Sequence, residues 1–142
     1  MEDLETLDSS FYKVKKSNTG LGLFALKEIK KGSCIIEYKG PILTDEEAEN
    51  KTTKYLFSVD KDITIDGSPR WNKARYINHS CKGNSHSDII DNRVFIKAKK
   101  NIKPGDEITY DYGKEYFDEF IKPYGCLCRS CENKKFEKKI WV

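Results

Sequence analysis

The sequence predicts a mostly β domain with a few short helices. Two observations carry that expectation: Gly and Pro punctuate the chain at short intervals, and the apolar residues fall in short runs rather than at helical spacing. A third is that no internal repeat or low-complexity tract interrupts the 142 residues, so one domain-sized unit is expected.

In chain order, the expected strands are Phe11 to Lys15, Leu23 to Leu26, Cys34 to Tyr38, Tyr55 to Val59, Ile63 to Ile65, Arg93 to Ala98 and Glu107 to Thr109. Lys30-Lys31-Gly32 and Lys103-Pro104-Gly105-Asp106 read as turns that feed the strands after them. Thr44-Asp45-Glu46-Glu47 has capping-box spacing and is expected to open a helix through Asn50 or beyond. A second short helix is expected from Glu115 to Ile121, where Tyr116, Phe117 and Phe120 share a face before Pro123 stops it. Ser80 to Asn92 is polar and contains glycine, so it reads as loop, and loops held by a rigid scaffold carry function.

Composition narrows the function classes. Hydrophobic residues make up 37% and charged residues 35%, which implies a modest core in which 7 Phe, 8 Tyr and 2 Trp supply the large buried surfaces. The net charge of +3, from 26 basic and 23 acidic residues, gives too weak a field to argue for nucleic acid as a direct partner. Lys134, Lys135, Lys138 and Lys139 read as a solvated charged end. Met1 to Ser10 carries Glu2, Asp3, Glu5 and Asp8 and no long apolar run. No secretory signal, membrane anchor or membrane partner is therefore expected, which leaves an intracellular protein of the cytoplasm or nucleus.

Five cysteines without an export signal point to metal or chemistry rather than disulfides. Cys126, Cys128 and Cys131 form C-x-C-x-x-C, Cys81 lies far upstream, and Cys34 within Cys34-Ile35-Ile36 is expected to be a core thiol. By spacing alone the cluster is either a redox or a metal motif.

Three further segments concentrate chemistry. Gly20-Leu21-Gly22-Leu23-Phe24 leads into a strand, and its glycines permit either a tight turn or a close approach of backbone to a ligand. It lacks the third glycine and the helix of a dinucleotide fingerprint. Arg75-Tyr76-Ile77-Asn78-His79-Ser80-Cys81 places an amide, an imidazole, a hydroxyl and a thiol in succession, as a site or as a turn with a half-buried histidine. Glu107-Ile108-Thr109-Tyr110-Asp111-Tyr112-Gly113 carries two tyrosines at a spacing that puts both on one side if the strand persists, lining an aromatic slot or filling a core or rim.

Together with Tyr38-Lys39-Gly40, these segments resemble the SET-domain protein lysine methyltransferases, whose motifs occur in this order and at about this spacing from Phe11 to Cys131. The resemblance implies a β-clip type fold of small curved sheets with a C-terminal pseudoknot. It divides the chain into a tail over 1–10, a SET domain over 11–122, and a zinc-binding post-SET segment with a basic tail over 123–142. It implies methyl transfer from S-adenosylmethionine to a lysine of a histone tail or other protein, with S-adenosylhomocysteine as product and the peptide added as an extended strand at a sheet edge. By the same matching, Gly20, Leu21, Gly22, Leu23, Tyr55, Arg75, Asn78, His79 and Tyr112 bind the cofactor, and Tyr112, Tyr38 and Tyr110 form the catalytic lysine channel. Tyr110 stands where the family alternates Phe and Tyr, which favours mono- or dimethylation. Cys81, Cys126, Cys128 and Cys131 supply four thiolates for a structural zinc.

The sequence departs from the family in two places: Gly83-Asn84 replaces the usual Pro before Asn, and the C-terminal cysteines stand closer together than in many members. Two other readings are a SET-like module that docks a partner without catalysis, and a zinc-dependent nucleic-acid module. Asn78, His79 and Tyr112 argue against the first and the weak net charge against the second. Oligomeric state is left open.

Overall fold

The computed structural model describes residues 5–17, 20–53, 55–60 and 62–113. The chain opens with β1 (Tyr12–Ser17) and β2 (Gly20–Ala25), an antiparallel pair with Tyr12 opposite Ala25 and Ser17 opposite Gly20. There follow β3 (Cys34–Tyr38), β4 (Ile42–Leu43), a short helix α1 (Asp45–Glu49), β5 (Leu56–Asp60) and β6 (Ile63–Asp66). The second half holds β7 (Asn78–His79), β8 (Ser85–Ile90), β9 (Arg93–Ala98) and β10 (Glu107–Tyr110). Each expected strand is present, with β3 and β9 beginning and ending as anticipated, and the fold is mostly β. The helix expected from Glu115 to Ile121 lies outside the described residues, as do residues 114–142 on which the C-terminal pseudoknot partly rests.

Helix α1 starts where its capping box predicts. Thr44 Oγ1 accepts from the Glu47 N–H at 3.3 Å, and Glu47 Oε1 accepts from the Thr44 N–H at 3.1 Å, so two orphan donors of the first turn are satisfied reciprocally.

The strands form two sheets, a larger one in the order β1-β2-β10-β8-β9-β3, with β7 also paired to β10, and a smaller one in the order β4-β6-β5. β9 is internal, flanked by β8 and β3, and accordingly buries Val94, Phe95, Ile96 and Ala98. Leu23 of β2 sits opposite Ile108 of β10, both with no exposed surface. That pair anchors β10 at the centre of the core, where each fully buried aliphatic side chain contributes about 1.5–3 kcal/mol. No helix among the described residues is long and apolar enough to cross a membrane.

Three expectations are corrected. Ser80 to Asn92 is not a continuous loop, because β8 occupies Ser85–Ile90 and pairs antiparallel with β9. Ile90 faces Arg93, and the two residues between them, Asp91 and Asn92, have φ of 51° and 63°, the left-handed geometry of a tight hairpin turn. The polar side chains of Ser85, His86, Ser87 and Asp88 disguised the strand, although Ser85 is 1% exposed. Cys34 is half-buried and stands outside the core cluster; its burial pushes the thiol pKa up. Finally, β10 ends at Tyr110, so Tyr112 is not placed by strand alternation.

Candidate active site

β10 is gripped on two sides. It runs antiparallel to β2, with Glu107 opposite Phe24, and parallel to β7, with Thr109 beside Asn78 and Tyr110 beside His79. This pairing gathers the glycine-rich strand, the Asn-His pair and the tyrosine motif at one place.

Local packing holds β10 there. Gly83 lies so close that a Cβ would stand 2.6 Å from Tyr110 Cα and 2.7 Å from the Thr109 carbonyl oxygen. The adjacent Asn84 bridges the strand: its Nδ2 donates to the Glu107 carbonyl at 2.8 Å and its Oδ1 accepts from the Thr109 N–H at 3.0 Å. One side chain thus satisfies backbone groups that β10 would otherwise leave unpaired.

Asn78 Nδ2 donates to Glu107 Oε2 at 2.8 Å, the Leu21 carbonyl at 2.9 Å and Ser17 Oγ at 3.0 Å. Gly22 leaves room for this network, since a Cβ there would run into Glu107 Oε2 and approach Asn78 Nδ2 to 3.1 Å. Leu21 is 49% exposed, whereas Leu23 is fully buried between Val14 of β1 and Ile108 of β10. Gly20, with φ of +112°, adopts a conformation that L side chains avoid.

His79 orients Tyr112. Its Nδ1 accepts from the Tyr112 N–H at 3.0 Å, so the ring proton sits on Nε2, which lies 3.3 Å from Cys81 Sγ. Burial lowers the His79 pKa below its usual value, partly offset by Asp111. The 3.6 Å approach of Asp111 Oδ1 to Nδ1 is therefore not an ion pair, because that nitrogen carries a lone pair and the carboxylate is exposed. The Tyr112 hydroxyl donates to the Ile77 carbonyl. Its ring packs edge-on to His79, with centroids 5.4 Å apart, and lies 4.9 Å from the ring of Tyr110.

A second group forms around Tyr55. The buried Tyr38 hydroxyl donates to the Tyr55 carbonyl at 2.7 Å, its ring packs 5.4 Å from that of Phe57, and the Arg75 guanidinium sits 4.2 Å over the Tyr55 ring. Arg75 Nε is buried with no hydrogen-bond partner among the described residues. The contacts of Tyr38 thus run to Tyr55 and Phe57, and those of Tyr112 to His79, Ile77 and Tyr110. Cys81 is exposed, while Cys126, Cys128 and Cys131 lie outside the described residues.

Residues 20–113, from the first residue of β2 to the glycine after Tyr112, match the SET domain model. The chain belongs to the SET domain family. This SET domain is 36% identical over 124 residues to the histone-lysine N-methyltransferase trithorax of Drosophila virilis, covering 79% of the chain and 3% of that protein. It is 37% identical over 121 residues to the H3 lysine-4 specific histone-lysine N-methyltransferase of Schizosaccharomyces pombe, covering 76% of the chain and 13% of that protein. With the histone-lysine N-methyltransferase ASHH3 of Arabidopsis thaliana it shares 36% identity over 128 residues, covering 81% of the chain and 34% of the relative. The SET domain therefore corresponds to a minor part of the length of each of these proteins.

Sequence reasoning singled out Asn78, His79, Tyr110 and Tyr112 but not the groups that hold them. Glu107 and Asn84 stand inside or beside the motifs with nothing in the sequence to mark their role, and Ser17 lies outside them. The available signal was a carboxylate and an amide next to a strand that ends in two tyrosines, which is too common a pattern to single them out.

Proposed function

We propose that this SET domain is a protein-lysine N-methyltransferase that uses S-adenosylmethionine and favours mono- or dimethylation, with histones as the substrate class. The observation that carries the proposal is the orientation of Tyr112, fixed at its backbone by His79 and at its hydroxyl by Ile77, with Tyr110 against its ring. The names of the three relatives given above, each a histone-lysine N-methyltransferase, support the reaction class and the substrate. A histone substrate in turn implies the nucleus.

S-adenosylmethionine brings a methyl group on a sulfonium, a leaving group that needs no activation. What remains for the protein is alignment, exclusion of water, and a neutral amine. Lowering a lysine pKa from about 10.4 to near 7 costs roughly 4–5 kcal/mol, which a narrow aromatic channel supplies by desolvating the cation.

The residues present fit this cofactor. No described residue donates to Asn78 Oδ1, which leaves it able to accept from a ligand, and Leu21 beside it is exposed. We assign the holding of the cofactor to Gly20, Leu21, Gly22, Leu23, Asn78, His79 and Tyr112, with Tyr55 and Arg75 at the second group.

Tyr112 donates its own proton to Ile77, so its oxygen keeps lone pairs for the lysine nitrogen and for weak C–H···O contacts with the methyl group. Tyr110 puts a second phenol in the slot, and water held there competes with additional methyl groups. Tyr38 walls the channel from the Tyr55 side. β5 lies at the edge of the smaller sheet, beyond β6, with no second strand beside it among the described residues, a place that suits an extended peptide.

Cys81 fits a structural zinc held with Cys126, Cys128 and Cys131, because its thiol is exposed and the His79 Nε2–H beside it favours a thiolate. Such a site orders the C-terminal segment and takes no part in the methyl transfer.

The test is mass spectrometry of histones incubated with S-adenosylmethionine and either the native protein or Tyr112→Phe. One or two methyl groups on lysine, lost in the variant, is the expected result. Absence of methylation together with absence of calorimetric cofactor binding refutes the proposal.

A further inference from the structure

We propose that Glu107 is a positioning residue that fixes the orientation of Asn78, so that the amide presents only an acceptor to a cationic donor group of the ligand. The inference rests on the methyltransferase reading for the identity of that ligand, but its structural part stands on the hydrogen-bond network itself.

An asparagine side chain has two donor hydrogens on Nδ2 and an acceptor at Oδ1, and it can be turned either way in a site. Here two of the three groups around Nδ2 cannot donate: the Glu107 carboxylate at 2.8 Å and the Leu21 carbonyl at 2.9 Å. The third, Ser17 Oγ at 3.0 Å, is able to accept. Turning the amide over would set its oxygen against a carboxylate and a carbonyl, neither of which can donate, and only the Ser17 hydroxyl could then bond it, as a donor. The orientation is thus dictated by acceptors drawn from β1, β2 and β10, with Glu107 forming the charge-assisted and strongest bond of the three.

Gly22 supplies an independent observation. It is the position where a side chain would collide with Glu107 Oε2 and crowd Asn78 Nδ2, so the absence of a Cβ at this motif glycine makes room for the bond between the two.

The consequence is selectivity. Oδ1 receives no donor from the described residues, and the negative charge of Glu107 lies directly behind the amide. The site therefore favours a positively charged donor over a neutral one. In S-adenosylmethionine and its product that group is the α-ammonium of the amino-acid moiety, which 5′-methylthioadenosine lacks while keeping the same nucleoside thioether.

The experiment compares the full chain with Glu107→Ala and Glu107→Gln. Calorimetry gives affinities for S-adenosylhomocysteine and 5′-methylthioadenosine, and NMR follows hydrogen exchange of the Asn78 side-chain amide in ligand-free protein. Glu107→Ala is expected to weaken S-adenosylhomocysteine about tenfold or more, as for loss of a hydrogen bond to a charged group, while 5′-methylthioadenosine changes less than about twofold. Glu107→Gln, which keeps an acceptor for Nδ2, restores most of the difference, and amide exchange is slow in the native protein and Glu107→Gln but fast in Glu107→Ala. Equal weakening of both ligands, unchanged S-adenosylhomocysteine affinity, or unchanged amide exchange overturns the proposal. If Glu107→Ala does not fold, Asn78→Asp with and without Glu107→Gln decides it. The lone Asn78→Asp gathers acceptors with no donor and loses S-adenosylhomocysteine binding, and the added Gln amide must recover it. A native protein that binds neither compound refutes the methyltransferase reading, while the exchange rates still decide the role of Glu107.

Discussion

Replacing Gly83 by alanine tests whether the site depends on the close approach of two backbones. The new Cβ would stand 2.6 Å from Tyr110 Cα, 2.7 Å from Thr109 O and 2.9 Å from Thr109 C, against an ordinary carbon contact of about 3.5 Å or more. All three atoms belong to β10, which cannot retreat freely because it is paired to β2, β7 and β8. Over-packing of this kind costs about 1–3 kcal/mol. Displacing β10 also strains the Asn84 bonds to Glu107 and Thr109, and each backbone group left unpaired adds about 1–3 kcal/mol. A total near 3 kcal/mol is expected, which for a domain of this size lowers the melting temperature by about 10 °C. Urea unfolding and calorimetry measure it. Gly105→Ala is the comparison: φ there is +91° and no atom lies within 4 Å, so it carries a conformational cost of about 1–2 kcal/mol and no collision. If Gly83→Ala unfolds within about 0.5 kcal/mol of the native protein, the ordinary range for surface changes, the argument from close packing is wrong.

Tyr38→Phe removes one of the two donors to the Tyr55 carbonyl, which keeps the Gly67 N–H at 2.8 Å, and should reduce stability by about 1 kcal/mol or less in urea unfolding. Tyr110→Phe removes the phenol proposed to hold water in the slot, and mass spectrometry of the products should show a shift towards more highly methylated lysine. Cys81→Ser takes one thiolate from the proposed zinc site, so plasma emission spectrometry should find most of the metal lost and calorimetry a lower melting temperature.

The strands were legible where apolar β-branched and aromatic residues cluster between turns. Cys34-Ile35-Ile36-Glu37-Tyr38 and Arg93-Val94-Phe95-Ile96-Lys97-Ala98 are strands almost by composition, and the helix start at Thr44 was written in a four-residue pattern. β8 was hidden because Ser85 and Ser87 carry no hydrophobic signal, and because its turn uses Asp91-Asn92 rather than a glycine-containing pair. Burying a serine in a strand is inexpensive when its backbone is paired on both sides, and no hydropathy pattern reports that. The core status of Cys34 failed for a related reason, since its apolar neighbours said nothing of where it falls in the sheet.

The site was readable as residues and unreadable as a structure. Asn78, His79, Tyr110 and Tyr112 stood out by chemical density, yet the reason they work together is β10, which joins β2 from more than 80 residues earlier to β7 and β8. In a strand clamped in this way, the groups that matter for positioning are those facing its neighbours, and they need not be the groups facing a ligand. Glu107 is held at the first position of β10 and meets Asn78; Gly83 and Gly22 are defined by what they lack. A glycine whose only property is room, and a carboxylate turned to a neighbour, look ordinary in a sequence. They become specific once the pairing of β10 puts Tyr110 beside His79 and leaves no space for anything larger at positions 22 and 83.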